Sequence, residues 1–331
     1  MASGFGALGR WRPHPLRDAV ASFDCHRARC AEFAYRRHER TTIRPARSDT
    51  VGTGTPHESP LKTAMDRTFH FIAGLPRSGS TLLAAILRQN PCIRAGVQSP
   101  VSPMVKALIK AASVSEHAVF VSDEQRLRLI GAIFTGYYDS STSERIVFDS
   151  NRAWCGLMDV LAKILPASRV VCCVRSPAWI LDSFERRVQA RQTVFPKMFE
   201  HDSNNTVYER VDAMMKGVVG QSIRSFRQAW FGEHAHKLIV VRYDSLVADP
   251  ARVLRELYLG IAEPCFRHAF EQVEYDSPEL DFVVGLPDLH KVTGPVQARP
   301  RTTILPPEIF AQFDNEFWNG GGENPRGVQV L

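Results

Sequence analysis

The sequence has little that would target it to a membrane or to nucleic acid. No long run of apolar residues occurs in its 331 residues, so no membrane-spanning helix is expected. The N-terminus lacks the apolar core of a secretory signal, so a signal peptide is not expected either. Of the net charge of +6, residues 1–64 contribute +5 (11 Lys and Arg against 6 Asp and Glu) and the rest of the chain +1 (30 against 29). A strongly basic nucleic-acid-binding surface is therefore not implied, and an anion site needs a local cluster of cations.

The cysteine pattern is not typical of a disulfide framework or of a metal site. The seven cysteines are an odd number and include no C-x-x-C pair, and no spacing of Cys, His or carboxylate residues is typical of a metal site. Cys172 and Cys173 lie inside an apolar run, which predicts two buried thiols. This cysteine usage favours a reducing cytoplasm, and no metal ion is expected.

The composition changes near residue 64. Residues 1–64 contain ten Arg, scattered Pro and Gly and no sustained periodicity, which predicts a disordered Arg-rich leader or an over-extended start. From Met65 short apolar strands alternate with helices, which predicts an α/β domain with a parallel sheet flanked by helices. The predicted strands are 68–73, 145–148, 169–174 and 237–242, and the predicted helices are 81–89, 123–138, 151–164, 179–191, 207–232 (broken near 217–220) and 250–261.

The most specific pattern is GLPRSGST, residues 74–81, between a predicted strand and a predicted helix. Such a loop directs consecutive backbone N–H groups at one point, where the N-terminus of the helix adds positive potential. Gly79 permits a close backbone approach or an unusual φ, and Arg77 adds a cation. The loop also offers three hydroxyl donors, Ser78, Ser80 and Thr81. We call residues 74–81 the phosphate loop, since this pattern predicts phosphate binding.

The phosphate loop departs from the ATP-binding pattern G-x-x-x-x-G-K-[ST] at its lysine, which Ser80 replaces. No acidic residue follows a strand in a position to hold magnesium, except Asp149. An ordinary ATP or GTP hydrolase is therefore disfavoured. A capped helix start with no ligand is the simpler alternative, but neither Pro76 nor Arg77 would contribute to a cap.

A second candidate anion site follows the third predicted strand. Arg175 ends this strand, at the edge where open α/β sheets bind ligands. Ser183 and Arg187 are four residues apart on one face of the next predicted helix. Two Arg and a Ser on their own are typical of a solvated helix face, but together with the phosphate loop they predict a second phosphate site, apart from the first.

The phosphate loop and the Arg175–Ser183 pair, eight residues apart, resemble the sulfotransferases that use 3′-phosphoadenosine 5′-phosphosulfate (PAPS). The resemblance extends from about Met65 to Trp318. It is closest to bacterial sulfotransferases related to the protein-tyrosine type, in which a third basic residue follows the pair, as Arg187 does here. It implies a P-loop-like sulfotransferase domain over residues 65–331.

The resemblance also implies roles for individual residues. Residues 76–81 would bind the 5′-phosphosulfate, where Arg77 would stabilise the leaving group, and Arg175, Ser183 and Arg187 would bind the 3′-phosphate. Tyr243 matches a tyrosine that touches the nucleotide. The family places a basic loop over the co-substrate in the tail of this chain, where the candidates are Lys291, Arg299 and Arg301.

The general base is the point at which the sequence departs from the tyrosine-type pattern. The glutamate expected after the first helix falls at Val97–Gln98, where neither side chain can usefully accept a proton. Asp149 is the nearest alternative carboxylate, and it could equally be the N-cap of the next helix. Arg152 could replace the lysine that the family uses near the transferring group. His70 lies within a strand, which favours a structural role.

These observations predict a cytoplasmic, metal-independent enzyme that transfers a sulfuryl group from PAPS to an acceptor hydroxyl and releases 3′-phosphoadenosine 5′-phosphate (PAP). Protein tyrosine, carbohydrate and small molecules all stay open as acceptors, and a homodimer stays open as well. No nucleic-acid partner and no integral membrane segment are expected. The alternatives are a P-loop nucleotide kinase, which the missing lysine disfavours, and a catalytically silent nucleotide-binding module, which Gln98 suggests.

Overall fold

The computed structural model describes residues 67–114, 116–138, 143–190, 206–318 and 326–331, so the predicted leader at 1–64 lies outside it. The strands are β1 (Thr68–Gly74), β2 (Ile93–Ala95), β3 (Ile146–Ser150), β4 (Val170–Val174), β5 (Leu238–Arg242) and β6 (Gln329–Val330). The α-helices are α1 (Ser80–Leu87), α2 (Val101–Val114), α3 (Asp123–Tyr137), α4 (Met158–Ile164), α5 (Pro177–Gln189), α6 (Val207–Lys216), α7 (Val218–Phe231), α8 (Tyr243–Ala248), α9 (Pro250–Gly260), α10 (Pro278–Val284) and α11 (Pro307–Phe313). Short 3-10 helices occupy Glu116–Phe120, Arg152–Leu157 and Ala235–Lys237.

These strands form one parallel sheet with the order β2-β3-β1-β4-β5-β6. After β1 the chain forms β2 and β3, which lie on one side of β1 in the sheet. It then crosses to the other side of β1, where it forms β4, β5 and β6. The order therefore reverses between β1 and β4, and open α/β sheets bind ligands at the carboxyl ends of such strands. In this register Gly74, the first residue of the phosphate loop, pairs with Cys173 of β4. The loop therefore begins close to Arg175, which follows Cys173 by two residues.

Both faces of the sheet are covered. Alternate residues of β1 point to opposite faces, so Phe71 packs in one core cluster and Ile72 in the other. Residues of α2 to α7 contribute to the first cluster, and residues of α1 and α9 contribute to the second. Burial on both faces explains why the strands are nearly continuous apolar runs. The predicted α/β class, a parallel sheet flanked by helices, is confirmed.

The predicted elements are present, with differences at their ends. The predicted break in the helix over 207–232 is confirmed, since α6 ends at Lys216 and α7 begins at Val218. The predicted helix over 151–164 begins instead as a 3-10 helix, whose N-cap is Asn151. Two strands, β2 and β6, and four helices, α2, α8, α10 and α11, were not predicted from the sequence. β2 and β6 have only three and two residues, too few for a clear periodicity.

Cys172 and Cys173 are free and fully buried in β4, which confirms the prediction of two buried thiols. Burial raises the pKa of the Cys173 thiol to about 12, so it stays protonated. No helix among the described residues is both long enough and apolar enough to span a bilayer.

Candidate active site

The phosphate loop turns tightly at the carboxyl end of β1. Gly74 and Gly79 have φ of 114° and 92°, and Arg77 has φ of 59°. A Cβ on Gly74 would lie 2.1 Å from the carbonyl oxygen of Cys173, so only glycine permits this approach of the loop to β4. The N–H of Leu75 donates to the same oxygen at 2.9 Å. Gly79 is the N-cap of α1, so the loop ends where helix N–H groups favour an anion.

Ser78 supports this loop from beneath. Its hydroxyl lies 2.8 Å from the carbonyl oxygen of Cys173 and 2.5 Å from that of Leu75, and only 1% of the residue is exposed. The hydroxyl therefore donates its proton to a main-chain carbonyl oxygen. The sequence predicted this hydroxyl as a donor to the ligand, and the structure corrects that prediction. Ser80 and Thr81 do line the adjacent cavity.

Arg77 connects the phosphate loop to α5. Its Nε donates to the hydroxyl of Ser183 at 3.2 Å, and its Nη1 donates to the carbonyl oxygen of Leu289. The two predicted anion sites are thus in direct contact, not apart. Burial, and after it the neighbouring charges of Arg187 and Arg175, lower the pKa of Arg77 to about 10. Arg77 is still a cation at neutral pH, and an anion would relieve this repulsion.

Tyr243 joins the phosphate loop to the end of β4. A Cβ on Gly79 would lie 2.9 Å from Cδ2 of the Tyr243 ring, so the ring contacts the loop closely. The guanidinium carbon of Arg175 lies 4.2 Å from the centre of the same ring, a cation–π distance. Burial lowers the pKa of Arg175. The loop, Tyr243 and Arg175 therefore form one continuous surface.

This surface belongs to a cavity of about 420 Å³, a size typical of small-molecule sites. Its wall is strongly cationic and contains no carboxylate among the described residues. The cations are Arg77, Arg152, Arg175, Lys291, Arg299 and Arg301. The buried Nε atoms of Arg175 and Arg301 have no hydrogen-bond partner in the described part of the chain, so neither guanidinium has all of its donors satisfied. Because residues 65–331 carry a net charge of only +1, an anion site in this domain needs a local cluster of cations, and the cavity wall contains one.

Residues 286–304, here called the basic segment, close one side of the cavity. The carboxylate of Asp182 fixes it to α5: it accepts bonds from the Ile304 N–H at 2.8 Å and from the Thr303 hydroxyl at 3.1 Å, and it forms an ion pair with Arg301. Burial alone would raise the pKa of Asp182, but these hydrogen bonds and the charge of Arg301 bring it below its ordinary value. Arg187 fixes the other end, since its Nη2 donates to the carbonyl oxygen of Asp288 at 3.0 Å.

Residues 70–264, more than half of the chain, match the sulfotransferase family. This chain belongs to that family. The matched region contains the phosphate loop, Ser183 and Tyr243, and it ends before the basic segment.

Solved sulfotransferases are similar to this one in fold. The sulfotransferase domain of the Synechococcus olefin synthase is 17% identical with a TM-score of 0.43, over 76% of this chain and 94% of that one. A Mycobacterium avium sulfotransferase is 16% identical with a TM-score of 0.37, over 63% and 67%. An Alicyclobacillus acidocaldarius sulfotransferase is 14% identical with a TM-score of 0.37, over 66% and 91%.

Asp149 does not lie in the cavity of this sulfotransferase. β3 continues to Ser150, so Asp149 is inside the strand and its side chain points into the core, with no exposed surface. Its oxygens accept bonds from Ser99 at 2.6 Å, Tyr138 at 2.7 Å and Trp154 at 2.7 Å. Burial raises its pKa. It is neither a base within reach of an acceptor nor a helix N-cap, and both of those expectations are corrected.

The other predicted site residues divide into two groups. Ser78, Asp149 and Arg187 do not line the cavity. Arg187 instead donates to carbonyl oxygens of the basic segment. Those that line the cavity are Pro76, Arg77, Gly79, Ser80, Thr81, Arg152, Arg175, Ser183, Tyr243, Lys291, Arg299 and Arg301. Val97 and Gln98, the position at which the family pattern expects an acid, line it as well. His70 is fully buried in β1, where its Nδ1 accepts the Arg169 N–H at 3.2 Å, as its predicted structural role requires.

Three residues of this site were not predicted from the sequence. Asp182 holds the basic segment, and His290 lines the cavity with its Nδ1 2.5 Å from Oδ1 of Asp281. The position of His290 directly before Lys291 is the one signal that could have drawn attention to it. Asp182 also pairs with Arg186 four residues later, but the contacts of Asp182 and Asp281 with the basic segment join residues 9 to 122 positions apart and so leave no local sequence signal.

Proposed function

We propose that this sulfotransferase uses PAPS as its sulfuryl donor and a hydroxyl compound as its acceptor. The single observation that carries the proposal is the cavity wall, in which the phosphate loop, Arg175 and Arg301 supply cations along one continuous surface and no carboxylate opposes them among the described residues. A ligand with phosphate groups at two positions matches such a wall better than a singly charged anion does.

The resemblance and the geometry together support distinct roles within the wall. The N–H groups of the phosphate loop and Arg77 would bind the 5′-phosphosulfate, and Arg77 would stabilise the charge that develops on the leaving phosphate. Arg175 and Ser183 would bind the 3′-phosphate. Because Arg77 now donates to Ser183, ligand binding would replace that bond with bonds to the ligand. PAPS supplies the activated sulfuryl group, and no step of this scheme requires a metal ion.

Two neighbours complete the wall. Tyr243, between Gly79 and Arg175, offers an aromatic face beside both proposed phosphate positions. Arg299 and Arg301 in the basic segment would add charge on the open side. Arg152 follows β3 and lines the cavity, where it would neutralise charge on the transferring group.

A nucleotide kinase and a silent binding module are the alternatives, and ligand binding tests the kinase. PAP at one hundred times its Kd should stabilise the folded protein by about 2.7 kcal/mol and raise its melting temperature, whereas ATP with Mg²⁺ should not. Stabilisation by ATP with Mg²⁺ but not by PAP would reject PAPS as donor. Adenosine 5′-phosphate is the matched control, because it lacks the 3′-phosphate that Arg175 and Ser183 would bind.

Transfer of ³⁵S from labelled PAPS separates an enzyme from a silent module. The screen should present a tyrosine peptide, a carbohydrate, a lipid and a small phenol, since all carry a hydroxyl and the sequence does not choose among them. Labelled product from at least one acceptor supports the proposal, whereas PAP binding without any transfer would favour the silent module. A cytoplasmic location and a homodimer stay predictions.

A further inference from the structure

His290 and Asp281 form a pair at the edge of the cavity that none of the roles above uses. Asp281 lies in α10 with 1% of its surface exposed. Its Oδ1 is 2.5 Å from Nδ1 of His290, and its Oδ2 accepts the backbone N–H of His290 at 3.1 Å. The carboxylate therefore holds both the ring and the main chain of His290, which fixes the direction of the imidazole.

This contact also sets the tautomer. An ionised carboxylate can only accept hydrogen bonds, so Nδ1 must carry the ring proton and donate it to Asp281. In the neutral ring Nε2 then has a free lone pair. Nε2 has no partner within the described residues, and His290 lines the cavity. The ring is thus arranged to accept a proton at Nε2 from a group inside the cavity.

The surroundings of His290 are those of the proposed transfer point. It is close enough to Arg77 of the phosphate loop and to Arg152 after β3 for both charges to act on its titration. Among the described residues that line the cavity, it is the one side chain that ordinarily titrates near neutral pH, because the wall contains Arg, Lys and Tyr but no carboxylate. It also lies outside residues 70–264, the region that matches the family.

We propose that His290, oriented by Asp281, is the general base that accepts the proton of the acceptor hydroxyl. The inference rests on the proposed function. The acceptor oxygen forms a bond to sulfur while the bond from sulfur to the phosphate oxygen breaks, and the electron pair of that bond remains on PAP. The acceptor proton moves to Nε2, and the resulting imidazolium later loses it to solvent. Asp281 is a positioning residue, because it acts through His290.

The charges around His290 favour its neutral form before the donor binds. Burial is the largest cause that lowers its pKa below the ordinary value, and Arg77 and Arg152 lower it further, while the hydrogen bond and charge of Asp281 raise it. A ring with a lowered pKa is neutral at pH 7 and can accept a proton. The kcat/KM for PAPS, which reports the enzyme before the donor binds, should therefore fall as the pH decreases through this pKa, below about 6.5.

His290→Asn is the decisive variant, since an Asn amide can still donate to Asp281 but has no Nε2. With an acceptor that the ³⁵S screen identifies, we expect kcat to fall by about 10² to 10⁴ and the acid limb of the pH profile to disappear. The Kd of PAP should stay within about threefold of wild type. His117→Asn, at an exposed histidine, is the matched control and should behave as wild type.

Asp281→Asn tests the positioning role. Without the carboxylate charge the pKa of His290 should fall further, so the acid limb should move to lower pH while kcat drops about tenfold to a hundredfold. An unmoved acid limb would show that Asp281 does not act through His290.

The histidine nitrogens provide a readout that needs no acceptor. In ¹⁵N-labelled wild-type protein at pH 7, NMR should show the His290 ring neutral, with its proton on Nδ1. A ring that is charged at pH 7, or one that is protonated on Nε2, would overturn the proposal even if the Asn variant failed to fold.

The possible results are distinguishable. Transfer by His290→Asn at the wild-type rate would reject His290 as base while PAPS-dependent transfer stands. Parallel losses of rate and PAP affinity would show that His290 binds the donor as a cation, which also overturns the proposal. Wild-type protein that neither binds PAP nor transfers label would instead reject the proposed function, and the inference with it.

Discussion

The phosphate loop and the basic segment both line the cavity, but they are attached to the domain in different ways. The loop is fixed by the main chain: Gly74 lies in register with Cys173, and the Leu75 N–H donates to the carbonyl oxygen of that residue. The main chain of the basic segment pairs with residues 270–275, but side chains attach it to α5, chiefly Asp182 and Arg187.

This difference predicts different sensitivities. Backbone hydrogen bonds and positive-φ glycines continue to fix the loop when Arg77 is replaced, so a substitution of Arg77 should alter chemistry more than folding. The attachment of the basic segment to α5 depends on few side chains, so a single substitution at a buried carboxylate should weaken that attachment, while the main-chain bonds to residues 270–275 remain. Substitutions in the two regions should therefore separate activity from stability.

The largest effect is expected at Arg77. We expect Arg77→Ala to reduce transfer from PAPS by about a thousandfold, because it removes a cation from the position where negative charge develops. The melting temperature should change less than the rate: Arg77→Ala loses the bonds to Ser183 and Leu289, but the main-chain bonds that fix the loop remain. Arg77→Lys should recover part of the rate, and Arg128→Ala, at an exposed ion pair, should match wild type. A wild-type rate in Arg77→Ala would exclude the proposed role.

Asp182→Ala should instead reduce stability. The change removes acceptors from Ile304 and Thr303 and the partner of Arg301, so the free energy of unfolding should drop by about 2 kcal/mol. The loss is below that of a fully buried pair, because 27% of the Arg301 side chain is exposed. Urea denaturation measures it, with Asp123→Ala, whose side chain is 94% exposed, as the control. Unaltered stability would show that Asp182 does not hold the basic segment.

Arg175→Ala should have a smaller effect, on binding alone. Arg175 lines the cavity, where its guanidinium would pair with the 3′-phosphate, so its loss should weaken PAP binding about tenfold, as expected for one charge-assisted hydrogen bond. Titration calorimetry measures the Kd, and adenosine 5′-phosphate should bind the variant and wild type alike. Equal weakening for both ligands would place Arg175 away from the 3′-phosphate.

The sequence predicted the loop better than it predicted the segment, and the reason is physical. A phosphate loop lies between a strand and a helix that are adjacent in the chain, so its glycines, its cation and the apolar runs around it appear together. The pairs Asp182–Ile304 and Asp281–His290 exist only after folding. The prediction for Asp149 was wrong because β3 ends at Ser150, two residues after the predicted end of the strand. Asp149 therefore lies within the strand, and its side chain is in the core and not at the site.

Asp149→Asn should have the smallest effect, and its sign is specific. Because burial raises the folded-state pKa of Asp149, its contribution to stability is complete below the ordinary pKa of 3.8 and is lost as pH rises through the folded-state pKa. Asn stays neutral, and the hydroxyls of Ser99 and Tyr138 can turn to accept from its amide. Wild type should therefore lose stability relative to the variant as pH rises above 3.8, while both transfer label with the same pH profile. A lost acid limb in Asp149→Asn would return the role of base to Asp149 and remove it from His290.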